Sequence, residues 1–195
     1  MKIAKIISTV LHPFVVIPAT LFLLVEINNI SAEKSILWLL ITITLTILPV
    51  LIIVLIGRIS GKYNDLDISN RLLREDVYRI GIASVFIASI VLMFFDVPIF
   101  AKSIQIAGLL SLITSWLINR VTKISVHTLV IAGAATLLIL YGNLLPVHIF
   151  IIVVCLISVA TARIVTKSHS FSQVILGGAV GVFSNLLAYW LFLIL

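Results

Sequence analysis

Long uncharged stretches separated by short polar intervals dominate the chain. Residues 6–25 and 35–57 contain no Lys, Arg, Asp or Glu. Each reaches the length of about 20 apolar residues that a helix needs to cross the hydrocarbon of a bilayer, which predicts spans one and two. Residues 80–95 and 103–119 predict shorter spans three and four, separated by Asp96, Pro98 and Lys102. Residues 124–162 again carry no formal charge, yet a helix of that length would run about 58 Å, nearly twice the bilayer core. The run must fold back, and Tyr141-Gly142-Asn143 with Pro146 supplies the turn. Spans five and six result, and residues 172–194 predict span seven. Lipid offers no partner to an open backbone, so every span must be helical. The expected fold is all-α: a polytopic transmembrane helical bundle of about seven spans (six to seven). It forms a single integral membrane domain over residues 1–195, without internal repeat, linker or second domain.

Composition supports the membrane as the solvent. Hydrophobic residues make up 62% of the 195 and charged residues 10%, too few to cover a water-soluble surface. The net charge of +6 does not signal nucleic acid, because no basic-aromatic patch or soluble domain accompanies it. Cys155 is the one cysteine and lies in an apolar run, which excludes a disulfide framework. Lys2 and Lys5 ahead of an apolar stretch are similar to a secretory signal. That stretch is longer than a usual signal core, is interrupted by Pro13 and Pro18, and lacks a small-x-small cleavage site, so a retained first span is expected.

Charge gives the bundle an expected orientation. With seven spans, the loops after spans two, four and six emerge on the side where the chain begins. Eleven of the 13 Lys and Arg residues fall there, leaving Lys34 and Lys102 opposite. Basic residues concentrate on the cytoplasmic side of membrane proteins, so the N-terminus and these loops are expected in the cytoplasm of a prokaryotic cell.

Three polar clusters occupy those loops. The first runs from Lys62 through Asp65, Asp67 and Arg71 to Arg74; the second is Lys123-Ile-Ser125-Val-His127; the third runs from Arg163 through Lys167 and His169 to Gln173. Ionisable groups near hydrocarbon are costly and usually have a partner or a task. Converging Arg residues bind phosphate oxygens through planar forks, and a His can attack phosphorus while a second His protonates the leaving oxygen. If span seven begins near Ser168, His169 and Gln173 stand one turn apart, where the amide can accept the ring N–H. Bland readings stand beside these. His127 and its neighbours can merely cap span five. Asp65 and Asp67 can pair with Arg71 and Arg74 across their loop. His12 and His148 read as structural or interfacial, and Arg58, Arg79 and Arg120 as topology-setting or headgroup contacts. Gly177, Gly178 and Gly181 are expected to permit close helix packing.

Together the clusters resemble the type 2 phosphatidic acid phosphatase superfamily of membrane lipid phosphatases, over a motif-bearing core of approximately residues 58–190. That family's pattern is written K-x6-R-P, P-S-G-H and S-R-x5-H-x3-D. The third part is met by Ala162-Arg163, His169 after five residues, and Gln173 after three more, followed by Gly177-Gly178. The second is met as Ile124-Ser125-Val126-His127. In place of the first stands Asp65-x-Asp67-Ile68-x-x-Arg71-x-x-Arg74. The resemblance implies a phosphatidic-acid-phosphatase-like core and a lipid phosphate or pyrophosphate phosphatase acting at the membrane interface without metal or other cofactor. It implies His169 as phosphohistidine nucleophile and His127 as general acid. Arg163, Ser125 and Arg71 or Arg74 would bind phosphate, with Lys62 or Lys123 assisting. Gln173 stands where the family places an Asp. A neutral amide orients an imidazole but does not stabilise an imidazolium by charge, so either Asp65 or Asp67 supplies the carboxylate, or turnover is slow, or the chain is not a phosphatase. The implied partners are a lipid phosphate substrate and membrane lipids.

Two alternatives follow from the same residues. Asp65 and Asp67 suit a Mg²⁺-dependent isoprenyl or CDP-alcohol transferase, although a second acidic cluster is lacking. Gln173 suits a catalytically degenerate protein that binds or moves phospholipid. The orientation is testable: a cysteine introduced by Asn70→Cys is expected to resist an impermeant thiol reagent applied to intact cells. Ready labelling would put the loop on the external face.

Overall fold

The computed structural model describes residues 1–194, and among them all regular structure is helical. Helices α1 (Lys2–Val10) and α2 (Pro13–Ile27) are followed by α3 (Ala32–Thr42) and α4 (Leu48–Ile59), which a π-helical turn at Ile43–Ile47 joins. A 3-10 turn at Arg71–Arg74 leads into α5 (Glu75–Met93). Then come α6 (Ile99–Asn119), α7 (Val126–Tyr141), α8 (Pro146–Val165) and α9 (Phe171–Ile194).

Five continuous helical segments among the described residues are long and apolar enough to cross a membrane, six if the bent pair α1 and α2 counts as one span. These helices are compatible with an integral membrane protein. The remaining apolar helix, α7, has 16 residues and a length of about 24 Å. The uncharged run of residues 124–162 does fold back: α7 ends at Tyr141 and α8 opens with Pro146 at its first position, where a missing N–H costs nothing.

The first span departs from an unbroken helix. Pro13 has no N–H and restricts the residue before it to extended backbone. His12 accordingly takes φ −69° and ψ 144°, and the axis bends by 47°. The second span also carries an irregularity. Its π-helical turn closes when Leu48 N–H reaches back to the Ile43 carbonyl, just ahead of Pro49. Gln105 of α6 clasps that turn from both sides. Its Nε2 donates to Thr42 Oγ1 at 2.9 Å, and Thr46 Oγ1 donates to its Oε1 at 3.2 Å. Buried amides and hydroxyls in an apolar bundle are stable when paired in this way.

Contacts divide the helices into two compact units. Ser31–Thr122 forms one; Met1–Ile30 with Lys123–Leu195 forms the other. The first contains α3 to α6, with α5 and α6 packed as an antiparallel hairpin through Phe94–Pro98. Lys34 and Asp96 form an ion pair at 2.5 Å in this unit, and the Lys34 ammonium holds the Asp96 carboxyl below its ordinary range.

The second unit contains α1, α2, α7, α8 and α9 and has an apolar centre at Val16, Ile131, Ala134 and Val159. Its tightest contact is α7 on α9. The contacts pair Ser125 with Gly177, Leu129 with Gly181 and Gly133 with Asn185, an ascending register that makes the helices parallel. A Cβ at Gly177 would collide with the Ser125 carbonyl and stand 2.6 Å from Thr128 Oγ1, and one at Gly181 would collide with the Leu129 carbonyl. Gly178 departs from the expectation for all three glycines, because open space surrounds its Cβ position. Gly177→Ala and Gly181→Ala are therefore each expected to cost about 1–3 kcal/mol of stability, read as a lower unfolding temperature in detergent. Gly178→Ala should leave it unchanged or raise it, since Ala favours helix over Gly by about 1 kcal/mol.

Candidate functional site

In the unit built from both ends of the chain, six of the sequence-predicted residues come together at the starts of α7 and α9. Ser125 caps α7 by accepting from Thr128 N at 3.4 Å, and its own N–H donates to the Gln173 carbonyl at 3.3 Å. Thr128 Oγ1 donates to the Val174 carbonyl at 3.0 Å. These bonds tie the start of α7 to the first turn of α9. Each N-terminus carries roughly half a positive elementary charge in its unpaired N–H groups, so this end of the pair favours an anion.

The approach to α9 depends on Lys167. It takes the left-handed conformation, φ 55°, one residue past the C-cap Thr166 of α8, a usual way for a helix to stop. The reversed chain returns the N–H groups of Ser168 and His169 to the Arg163 carbonyl, at 3.1 and 3.2 Å. His169 thus sits directly over the last turn of α8. Lys123 Nζ donates to the Ser168 carbonyl at 2.9 Å and fixes the same turn from the α7 side. Arg163, Ser125, His127 and His169 are all buried.

Gln173 has a double task. Its Oε1 accepts from Ser170 N at 3.3 Å, while Gln173 N donates to Ser170 Oγ at 3.3 Å, a reciprocal capping box at the start of α9. The same Oε1 lies 3.1 Å from His169 Nδ1. An amide oxygen only accepts, so Nδ1 carries a proton, and in the neutral ring Nε2 holds the lone pair. The one-turn spacing of His169 and Gln173 therefore yields a ring held in one tautomer.

His127 is fixed through the other end of the chain. Its Nε2 lies 3.2 Å from the Ser8 carbonyl, which makes that nitrogen a donor. The His12 ring stands edge-to-face against His127 with centroids 5.0 Å apart. His12, read from sequence as structural or interfacial, therefore belongs to the same cluster. The signal that marks it is its place before Pro13, where the first span breaks. His148 does have a structural contact: its Nδ1 accepts from Leu145 N at 3.1 Å at the start of α8.

The other five predicted residues lie in the α3–α6 unit, and the side chains of Lys62, Asp65, Arg71 and Arg74 bond within it. Arg71 donates to the Asn119 and Arg120 carbonyls at 2.8 and 3.0 Å, capping the C-terminus of α6, where a cation is favourable. Asn119 Nδ2 returns a bond to the Arg71 carbonyl at 2.9 Å. Arg74 is buried and donates to the Ile68 and Asp67 carbonyls, both at 2.9 Å. Those bonds hold Ile68 at φ 48°, a strained conformation for a β-branched residue. Asp65 accepts from Ser69 Oγ at 2.6 Å. Lys62 pairs with Asp76 at 2.6 Å, a carboxylate partner that raises the Lys62 ammonium above its ordinary range. Glu75 accepts from Trp116 Nε1 at 2.9 Å and pairs with Arg79 at 3.1 Å, and Arg120 lies 4.4 Å over the Trp116 ring.

No family model, no curated protein and no solved structure matches the chain.

The loop geometry has a direct test. Two hydrogen bonds from a charged donor contribute about 1.5–3 kcal/mol each. Arg74→Ala is therefore expected to speed amide hydrogen exchange over residues 65–73 by about tenfold or more, while exchange in α9 stays as in the parent protein.

Proposed function

We propose that this chain is a lipid phosphate or pyrophosphate phosphatase that works through a phosphohistidine at His169. The observation that carries the reading is the His169–Gln173 bond of 3.1 Å, which leaves Nε2 as the nucleophilic nitrogen of a buried ring beside Arg163. Electrostatics in the same unit support it. Its side chains include five Lys or Arg residues but a single carboxylate, Glu26. Glu26 sits at the opposite end of α2 from His12. Two helix N-termini and these cations favour a phosphate dianion and the charge that builds on its oxygens during transfer.

In the proposed reaction His169 Nε2 attacks phosphorus, a P–N bond forms, and the bond to the lipid oxygen breaks as His127, in its imidazolium form and held through Nε2, protonates that oxygen from Nδ1. Water then attacks the phosphohistidine, releasing inorganic phosphate and restoring His169. Arg163, Ser125 and Lys123 hold the phosphoryl oxygens. In this reading α7 is a seventh span, the bundle is a divergent phosphatidic-acid-phosphatase-like core, and the lipid tail enters between apolar helices. The active face is cytoplasmic. Because Gln173 is neutral, it orients His169 without stabilising its positive charge, which favours slow turnover.

Gln173 also supports a second reading, a degenerate relative that binds phospholipid without cleaving it. Phosphate release from a panel of phosphatidic acid, phosphatidylglycerophosphate and polyprenyl pyrophosphate separates the two. Release unaffected by EDTA and lowered on the order of 100-fold or more by His169→Ala is expected. Equal release from both proteins would sink the assignment, and loss in EDTA would favour a Mg²⁺-dependent transferase. Phospholipid binding without release would leave the degenerate reading. Gln173→Ala is expected to lower release about tenfold by freeing the ring, whereas Gln173→Asp should raise it.

A further inference from the structure

We infer that His12 is a positioning residue for His127, and that the break in the first span is built around that histidine. This inference rests on the proposed phosphatase reading for its kinetic consequence, though not for its geometry. In an unbroken helix the Ser8 carbonyl would accept from the N–H of residue 12. Here Pro13 ends the ladder, and His12 N donates instead to the Thr9 carbonyl at 3.4 Å. The Ser8 carbonyl is released from the helix, and His127 Nε2–H takes it at 3.2 Å. The same break turns the His12 ring onto His127, 5.0 Å between centroids and 87° between planes.

His12 is itself held. Its Nδ1 accepts from Phe14 N at 3.3 Å, capping α2, and its ring stacks on Phe14 at 5.3 Å. A nitrogen that accepts carries no proton, so the proton of the neutral ring is on Nε2. The His127 ring is therefore gripped at two points supplied by one helix break: a carbonyl fixes Nε2, and an imidazole fixes the ring plane. Two contacts of this kind remove the rotational freedom of a general acid that must face a leaving oxygen.

Capping and positioning separate experimentally, because Asn caps a helix as well as any residue but has no ring to pack on His127. His12→Asn is expected to keep the unfolding temperature of the parent protein. It should nevertheless lower kcat for phosphate release about tenfold with KM little changed. His12→Ala should lose both stability and rate. A second readout does not need turnover: diethyl pyrocarbonate modification of His127, followed by peptide mass spectrometry, is expected to run several-fold faster in His12→Asn. An unchanged modification rate, or an unchanged kcat in an active protein, overturns the inference. Absence of phosphate release from the parent protein instead sinks the phosphatase reading, and the modification rate still decides whether His12 grips His127.

Discussion

Two parallel helices in direct contact hold the candidate site in place. Side chains normally keep helix axes 8–10 Å apart, but Gly177 and Gly181 let α9 lie against the backbone of α7. At that separation Ser125 N reaches the Gln173 carbonyl and Thr128 Oγ1 reaches the Val174 carbonyl. The start of α7 then lies against the first turns of α9, and the two helix N-termini point the same way. Added bulk at either glycine would push the N-termini apart and loosen both bonds.

Several of these features are visible in the sequence because they depend on local chemistry. The fold-back between α7 and α8 is set by Gly142 and Pro146, and the pairing of His169 with Gln173 follows from a spacing of four residues on a helix. Other features depend on distant partners. The π-helical turn at Ile43–Ile47 is clasped by Gln105, about sixty positions away, and nothing in the local sequence announces it. The two-unit division joins the first 30 residues to the last third of the chain, a pairing that hydropathy along a line does not contain. His12 was hidden for the same reason: its partner His127 lies on another helix, and an isolated histidine in an apolar segment is more often structural.

The polar loop shows how one residue type serves two purposes. Arg71 and Arg74 look like anion ligands when counted as charges, and each is engaged with backbone carbonyls, at the end of α6 and within residues 67–68. Both guanidinium groups thus serve the backbone of their own unit. These bonds fix both arginines in place. Gln173 is a further case. A capping box needs Gln or Glu at its position, and the same amide that completes the cap sets the tautomer of His169. Helix stability and ring orientation thus converge on one side chain, and the absence of negative charge there sets the expected rate rather than the geometry.

The proposed chemistry stands on a covalent intermediate at one atom, Nε2 of His169. Rapid quenching of the purified protein with a lipid phosphate labelled at phosphorus, followed by peptide analysis under alkaline conditions that preserve phosphohistidine, reads that atom directly. The account predicts label on the peptide containing His169, appearing before free phosphate and missing from His169→Gln. Phosphate released at full rate with no label on the protein, or label retained after that substitution, would contradict it.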